Sequence, residues 1–205
     1  MTVTEPSRRE RKKDETRERI FRAAVELFRA KGFEATTLDE ITEKADVAKG
    51  TFFNYFSGKE AVLGYLSARR LRDLEENAGE ILSSARDARA KLLEVYALAA
   101  SAYAEDRLLS RYVLTEVMKR LFDPLEESGR RWHQFALKIL EAGRGSGELR
   151  ADLPLERACA LLSSVYFSTL YSWACSASAD FPLQEELRAR LTLAMEGLGP
   201  LRGRQ

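Results

Sequence analysis

Residues 36–60 read TTLDEITEKADVAKGTFFNYFSGKE. The stretch crowds phenylalanine, tyrosine, threonine, lysine and glycine together more tightly than a helix with one buried and one wet face would. Thr37-Leu38-Asp39-Glu40 fits the capping box, in which a hydroxyl and a carboxylate three positions along satisfy each other's backbone amides. This box predicts a short helix carrying Ile41 and Ala45. Asp46 falls where that helix must stop. A third helix is predicted from about Lys49 to Phe56, and Ser57-Gly58-Lys59-Glu60 opens a fourth. A short helix, a tight turn and a second short helix is the helix-turn-helix arrangement, whose second helix enters the major groove of DNA.

That reading explains the composition. Phe52 and Phe56, four residues apart, anchor the third helix on Phe28 and Ile41. Lys49, Gly50, Thr51, Phe53, Asn54 and Tyr55 are left for the outer surface. Gly50 allows close approach of the backbone. Thr51 offers a hydroxyl and a methyl to base edges, and Asn54 suits adenine. Tyr55 is placed to reach phosphate. Thr36 or Thr37, at a helix start, and Lys59, at the start of the fourth helix, are expected to hold phosphate.

Upstream, Ile20, Ala23, Ala24, Leu27 and Phe28 repeat at helix spacing, with Gly32 as a left-handed cap. Before them, Ser7–Lys13 carries five cations (Arg8, Arg9, Arg11, Lys12, Lys13) against Glu10, a local net of +4 in a chain whose overall net charge is +1. Residues 1–14 read as a basic flexible arm able to lie along an anionic polymer. Residues 15–60 form the DNA-binding domain. A connector helix at about 60–83 leads into the remainder, 61–205.

Downstream the helical period continues. Leu92, Leu93, Tyr96, Ala100 and Tyr103 form one stripe. Leu109, Tyr112, Val113, Val117 and Leu121 form the next. Asp123-Pro124 caps a helix carrying Trp132, Phe135, Ala136, Ile139 and Leu140. Gly143–Gly147 reads as a flexible loop. Helices at 154–178 and 182–199 are apolar over too much of their circumference for one thin bundle to cover, and Ser163, Ser164, Ser168 and Ser172 permit close helix approach. The fold class is therefore all-α: a three-helix helix-turn-helix domain, then a bundle of five to six helices, nine helices in all. Two copies of the last pair predict a four-helix dimer interface with two-fold symmetry.

The segment AAVELFRAKGFEATTLDEITEKADVAKGTFFNYFSGKEAVL, residues 23–63, resembles the DNA-binding domain of the TetR family of bacterial transcriptional regulators. The AxxLF, GF-x-A-TT, KGT-aromatic and YF-x-x-KE elements occur in order. The resemblance implies a homodimer on a palindromic operator, a repressor released when a small molecule fills the C-terminal bundle. Three positions depart from the family pattern. Asp46 stands where glycine is frequent, and aspartate tolerates the left-handed backbone of such a turn better than most residues; Ala48 replaces a serine cap, and Phe53 replaces a tyrosine.

Apolar content of 45% and charged content of 32% suit a folded, helix-rich protein. No stretch approaches the ~20 apolar residues of a membrane span, and no apolar run follows the N-terminal charges as in a secretory leader. Cys159 and Cys175 lack metal-ligand spacing and read as reduced thiols of a cytoplasmic protein. His133 is the only histidine, so no histidine-based metal or catalytic set can be built, and no cofactor or enzymatic activity is expected. Tyr96, Tyr103, Phe122, Trp132, Phe135, Tyr166, Phe167 and Tyr171 exceed what a simple core needs and predict an apolar pocket for an acyl or aromatic effector. The other readings are a constitutive DNA-binding protein with a packed bundle, and an all-helical carrier or enzyme using the same aromatics.

Overall fold

The computed structural model describes residues 7–120, 127–176 and 181–196. Among the described residues there are ten helices and no strand: α1 Arg8–Lys31, α2 Leu38–Lys44, α3 Lys49–Phe53, α4 Lys59–Asn77, α5 Gly79–Ser83, α6 Ala88–Ala104, α7 Arg107–Arg120, α8 Glu127–Gly145, α9 Leu155–Cys175 and α10 Leu183–Glu196. They form two compact units that meet within α4, one ending at Tyr65 and the other beginning at Leu66.

The first unit is organised by its helix ends. Ser7 and Glu10 make a reciprocal capping box, and the Ser7 hydroxyl holds the Glu10 carboxyl below its usual range. With its first amides satisfied and an acid in its first turn, α1 begins at Arg8. The basic run expected as an irregular arm is therefore helical over Arg8–Lys13, on exposed positions. Gly32 ends α1, its N–H donating to Phe28 O at 3.0 Å. Its φ of 87° is positive as expected, but its ψ of 158° is extended rather than left-handed helical. Only glycine adopts that combination comfortably, and the chain leaves the helix in extended form. Thr37 and Glu40 make the second capping box, and Asp46 is the one positive-φ residue other than glycine among the described residues, at 51°. Ala48 gives α3 no side-chain cap. Past Phe53 the chain continues in hydrogen-bonded turns, Tyr55 and Phe56 both donating to Phe52 O.

Ile20, Phe28, Ile41, Phe52 and Val62 are fully buried in this unit. Edge-on ring pairs tie its helices together: Phe28 with Phe33 at 5.0 Å, Phe21 with Tyr65 at 5.2 Å and Phe56 with Tyr65 at 5.7 Å. Each such pair contributes about 0.5–1.5 kcal/mol beyond the area it buries.

In the second unit α9 packs against α7, α8 and α10, and α6 against α8 and α10. The expected connector at 60–83 is two helices. Asn77 Nδ2 donates to Asp73 O at 2.6 Å, an amide competing for a helix carbonyl, and Gly79, a weak helix former, starts α5. The expected loop at Gly143 is helix instead. Gly143 is buried in the last turns of α8, where a β-carbon would collide with the Ala88 methyl, so the glycine serves helix contact. Only Gly147, at φ 80°, has a turn conformation. The predicted spans 154–178 and 182–199 correspond to α9 and α10; residues 177–180 and those from 197 on lie outside the described residues, as do Leu121, Phe122 and the Asp123-Pro124 cap.

Candidate nucleic-acid interface and bundle interior

The α2–turn–α3 segment presents most of its predicted DNA-facing residues outward. Lys49, Gly50, Phe53 and Asn54 are exposed, and Thr51 and Tyr55 are half-buried. Phe53 leaves 52% of its surface to solvent and meets Phe52 edge-on at 5.6 Å. A side chain at Gly50 would touch nothing within 4 Å, so this glycine leaves an open surface rather than filling a tight contact. Lys49 Nζ lies 2.5 Å from Asp39 Oδ1, a solvent-exposed pair of the kind that a phosphate exchanges easily.

Three of the expected phosphate contacts are differently employed. Thr36 is buried, and its hydroxyl donates to Gly32 O at 2.8 Å, because the chain leaving Gly32 folds it under the helix. It offers nothing to DNA. Thr37 is exposed, but its hydroxyl donates to Glu40 Oε2 at 2.8 Å and its own N–H donates to the same oxygen at 2.8 Å. The Glu40 carboxyl is pulled down to about 2, first by the Lys31 ammonium and then by the Thr37 amide and hydroxyl. Lys59 turns inward: its Nζ donates to Phe33 O at 2.9 Å and to Glu34 O and Thr36 O at 3.3 Å, and lies 4.5 Å from the centre of the Phe33 ring. An ammonium has three donors, and all three are used. Lys59 is a clamp on the loop between α1 and α2, not a free phosphate ligand.

In the second unit the structure brings four of the predicted aromatics together. Trp132 stacks on Tyr166 with centroids 5.0 Å apart and 21° between planes. Tyr96 meets both at 5.2 Å, and Phe167 meets Tyr166 at 5.0 Å and Trp132 at 6.1 Å. All four are buried. Trp132 Nε1 donates to Ser163 Oγ at 3.1 Å, so Ser163 faces inward rather than toward a partner subunit. Tyr96 Oη is buried without a partner in hydrogen-bond geometry; the Ser163 hydroxyl is near enough to lower the phenol slightly, but burial dominates and raises it far above the usual range. Tyr103 is buried under Arg70, whose guanidinium carbon lies 4.4 Å from the ring centre. Phe135 is buried on α8 but makes none of these ring contacts, and Tyr171 is exposed. Phe122 lies outside the described residues.

His133 pairs with Glu156 at 2.5 Å and bridges α8 to α9. Among the described residues no group of histidine, cysteine and carboxylate side chains could hold a metal, and no helix is long and apolar enough to cross a membrane. Both cysteines are free thiols; burial pushes Cys159 up to about 11. Arg70 escaped the reading of the sequence, although a signal was there. It interrupts the stripe Leu63, Leu66, Arg70, Leu74 with a cation.

A helix-turn-helix with a polar, aromatic second helix, followed by a separate all-helical bundle around stacked aromatics, defines a one-component DNA-binding regulator. The chain belongs to the TetR family of bacterial regulatory proteins: residues 20–66 match the family's N-terminal model, and residues 68–197 match the C-terminal domain of TetR/AcrR family transcriptional repressors. It is thus a DNA-binding transcriptional regulator of the repressor type. It is similar to FadR of Thermus thermophilus, a TetR family transcriptional repressor solved in complex with lauroyl-CoA, with 34% identity over 92% of this chain and 98% of that one and a TM-score of 0.77. FadR of Bacillus subtilis shares the fold, with 23% identity, a TM-score of 0.70 and coverage of 88% of this chain and 98% of that one. The transcriptional regulator TcmR of Streptomyces glaucescens is 37% identical over 93 residues, a match that spans 41% of either chain.

Proposed function

We propose that this protein is a homodimeric repressor that binds a palindromic operator and releases it when a small molecule with a long acyl chain enters the bundle. The observation that carries the effector reading is the buried stack of Tyr96, Trp132, Tyr166 and Phe167 in a chain 34% identical to a repressor solved with lauroyl-CoA. Lys49, Gly50, Thr51, Phe53, Asn54 and Tyr55 carry DNA recognition, with Thr37 beside the backbone. The dimer forms through α9 and α10. In support, Leu161, Tyr171 and Leu193 are 46%, 39% and 71% exposed, and the exposed Ser164 and Ser168 lie on the α9 face of Leu161 and Tyr171. The protein acts by binding in the cytoplasm and catalyses nothing.

The test selects a duplex from random sequence, then measures its affinity with and without lauroyl-CoA. Lauroyl-CoA should weaken operator binding, and the operator should weaken lauroyl-CoA by the same factor, typically ~5–150-fold, because coupling between two sites is reciprocal. Trp132→Ala should keep operator affinity and lose the response. Tight lauroyl-CoA binding with unchanged operator affinity would make the compound a filler and the protein a constitutive regulator. Sedimentation as a monomer at micromolar concentration would end the dimer and the palindrome together.

A further inference from the structure

Among the described residues three buried side-chain polar atoms lack a hydrogen-bond partner, and two of them, Arg70 Nη1 and Tyr96 Oη, belong to the aromatic cluster of the second unit. The guanidinium is the informative one. It stays charged at any physiological pH and presents donors in a planar fork. Arg70 is half-buried, but its Nη1 is shut off from water without a partner, which is costly, and the residue has no carboxylate partner among the described residues. Its surroundings are instead aromatic. The ring of Tyr103 lies under it at 4.4 Å. The Tyr103 and Tyr166 phenols are both raised by burial, and both feel the Arg70 charge pulling the other way. Tyr166 in turn meets Tyr96 and stacks on Trp132. Apolar ring faces therefore lead to a guanidinium that engages Tyr103 but leaves its Nη1 buried and unsatisfied. That is the complement of a hydrocarbon tail ending in an oxyanion, which takes a charge-assisted bond from a guanidinium.

We propose that the bundle binds an anionic amphiphile, with Arg70 receiving its carboxylate or phosphate oxygens and the Tyr96–Trp132–Tyr166–Phe167 stack receiving its chain. This rests on the acyl-effector reading and adds the polar end to it. A free fatty carboxylate and the phosphates of a CoA ester supply the same chemistry, and the choice of probes separates them.

The experiment measures the binding of laurate, lauroyl-CoA and the neutral dodecanol to the full chain, following Trp132 fluorescence and confirming by calorimetry, for wild type, Arg70→Met and Arg70→Lys. Wild type should prefer at least one of the anions to dodecanol. Arg70→Met should weaken that anion about 10- to 100-fold, the worth of a charge-assisted pair, and leave dodecanol within about threefold; Arg70→Lys should fall between, since it keeps the charge without the fork. Loss confined to laurate identifies a carboxylate at Arg70, and loss confined to lauroyl-CoA identifies a phosphate. Arg70→Met gives up the contacts to Tyr103, so retained dodecanol binding and a cooperative melt of the ligand-free variant guard against misfolding as the cause. Unchanged anion binding in Arg70→Met, or equal losses for all three compounds, would overturn the inference and make Arg70 a prop for Tyr103. Failure of wild type to bind any of the three would sink the acyl reading and this inference with it.

Discussion

Lys59→Met separates two roles for one side chain. The substitution keeps the unbranched stem and deletes the ammonium. In the structure that ammonium serves Phe33 O at 2.9 Å and Glu34 O and Thr36 O at 3.3 Å, and faces the Phe33 ring at 4.5 Å. A hydrogen bond from a charged donor contributes about 1.5–3 kcal/mol net, and the two longer contacts add less than full bonds. A half-exposed cation–π contact adds about 0.5–1 kcal/mol. The first unit should therefore lose about 2–4 kcal/mol. Tryptophan fluorescence would miss the loss, because both tryptophans, Trp132 and Trp173, lie in the second unit. Hydrogen exchange of the amides of residues 33–45 reads it directly: at about 1.4 kcal/mol per tenfold, exchange should speed roughly 30- to 700-fold. Operator affinity below the melting range should keep its salt dependence. If exchange is unchanged and the slope of log affinity against log salt shrinks by ~0.9, the loss of one phosphate contact, then Lys59 leaves its carbonyls for DNA and the clamp reasoning is wrong.

Gly143→Ala should cost about 1–3 kcal/mol, as overpacking of a tight core does, because its methyl collides with Ala88; a calorimetric melt with no loss would mean that α6 and α8 separate freely. Asp46 sits at φ 51°, so Asp46→Gly should raise the stability of the first unit slightly and Asp46→Val lower it by roughly 1–2 kcal/mol, read by the same exchange experiment; equal effects would remove strain from the account of the turn. Glu40 has a folded pKa of about 2, depressed from 4.5. The sign follows from linkage: its stabilising effect is complete above about pH 4.5 and fades as pH falls toward 2. Glu40→Gln should therefore flatten that part of the acid-stability curve, and a curve identical to wild type would deny the Lys31 and Thr37 contacts of Glu40 any linkage.

Local chemistry was legible in the residues and long-range facing was not. The Thr37–Glu40 box, the positive φ of Asp46 and the missing cap at Ala48 each depend on a few consecutive residues, and each is found as expected. Thr36 is buried and Lys59 is bonded to loop carbonyls, against expectation, because the path of the chain after Gly32 decides which side chains it covers. A threonine at a helix start can serve phosphate or a nearby carbonyl with the same hydroxyl. The loop expected at Gly143 came from reading glycine as freedom when here it is closeness, a property of the helix opposite. The aromatic stack was partly visible as composition, but not that Phe135 and Tyr171 stand apart from it. Arg70 was invisible because a stripe is recognised by its apolar members, and a cation within it looks like the stripe's edge.

The contact between Ala88 and Gly143 has a mechanical meaning. There α6 and α8 approach as closely as two backbones with one methyl between them allow, and Glu148 Oε2 accepts the Ala88 N–H at 2.5 Å. The two helices resemble a clothes-peg with its spring at this point. At 1.5 Å per residue, Tyr96 lies about 12 Å along α6 from the spring and Tyr103 about 22 Å. A guest that prises the jaws apart by ~1 Å at Tyr96 moves Tyr103 by nearly ~2 Å, with the Arg70 guanidinium resting on its ring. Any opening of α6 from α8 about this contact would be larger at Tyr103, beneath Arg70 of α4, than at Tyr96.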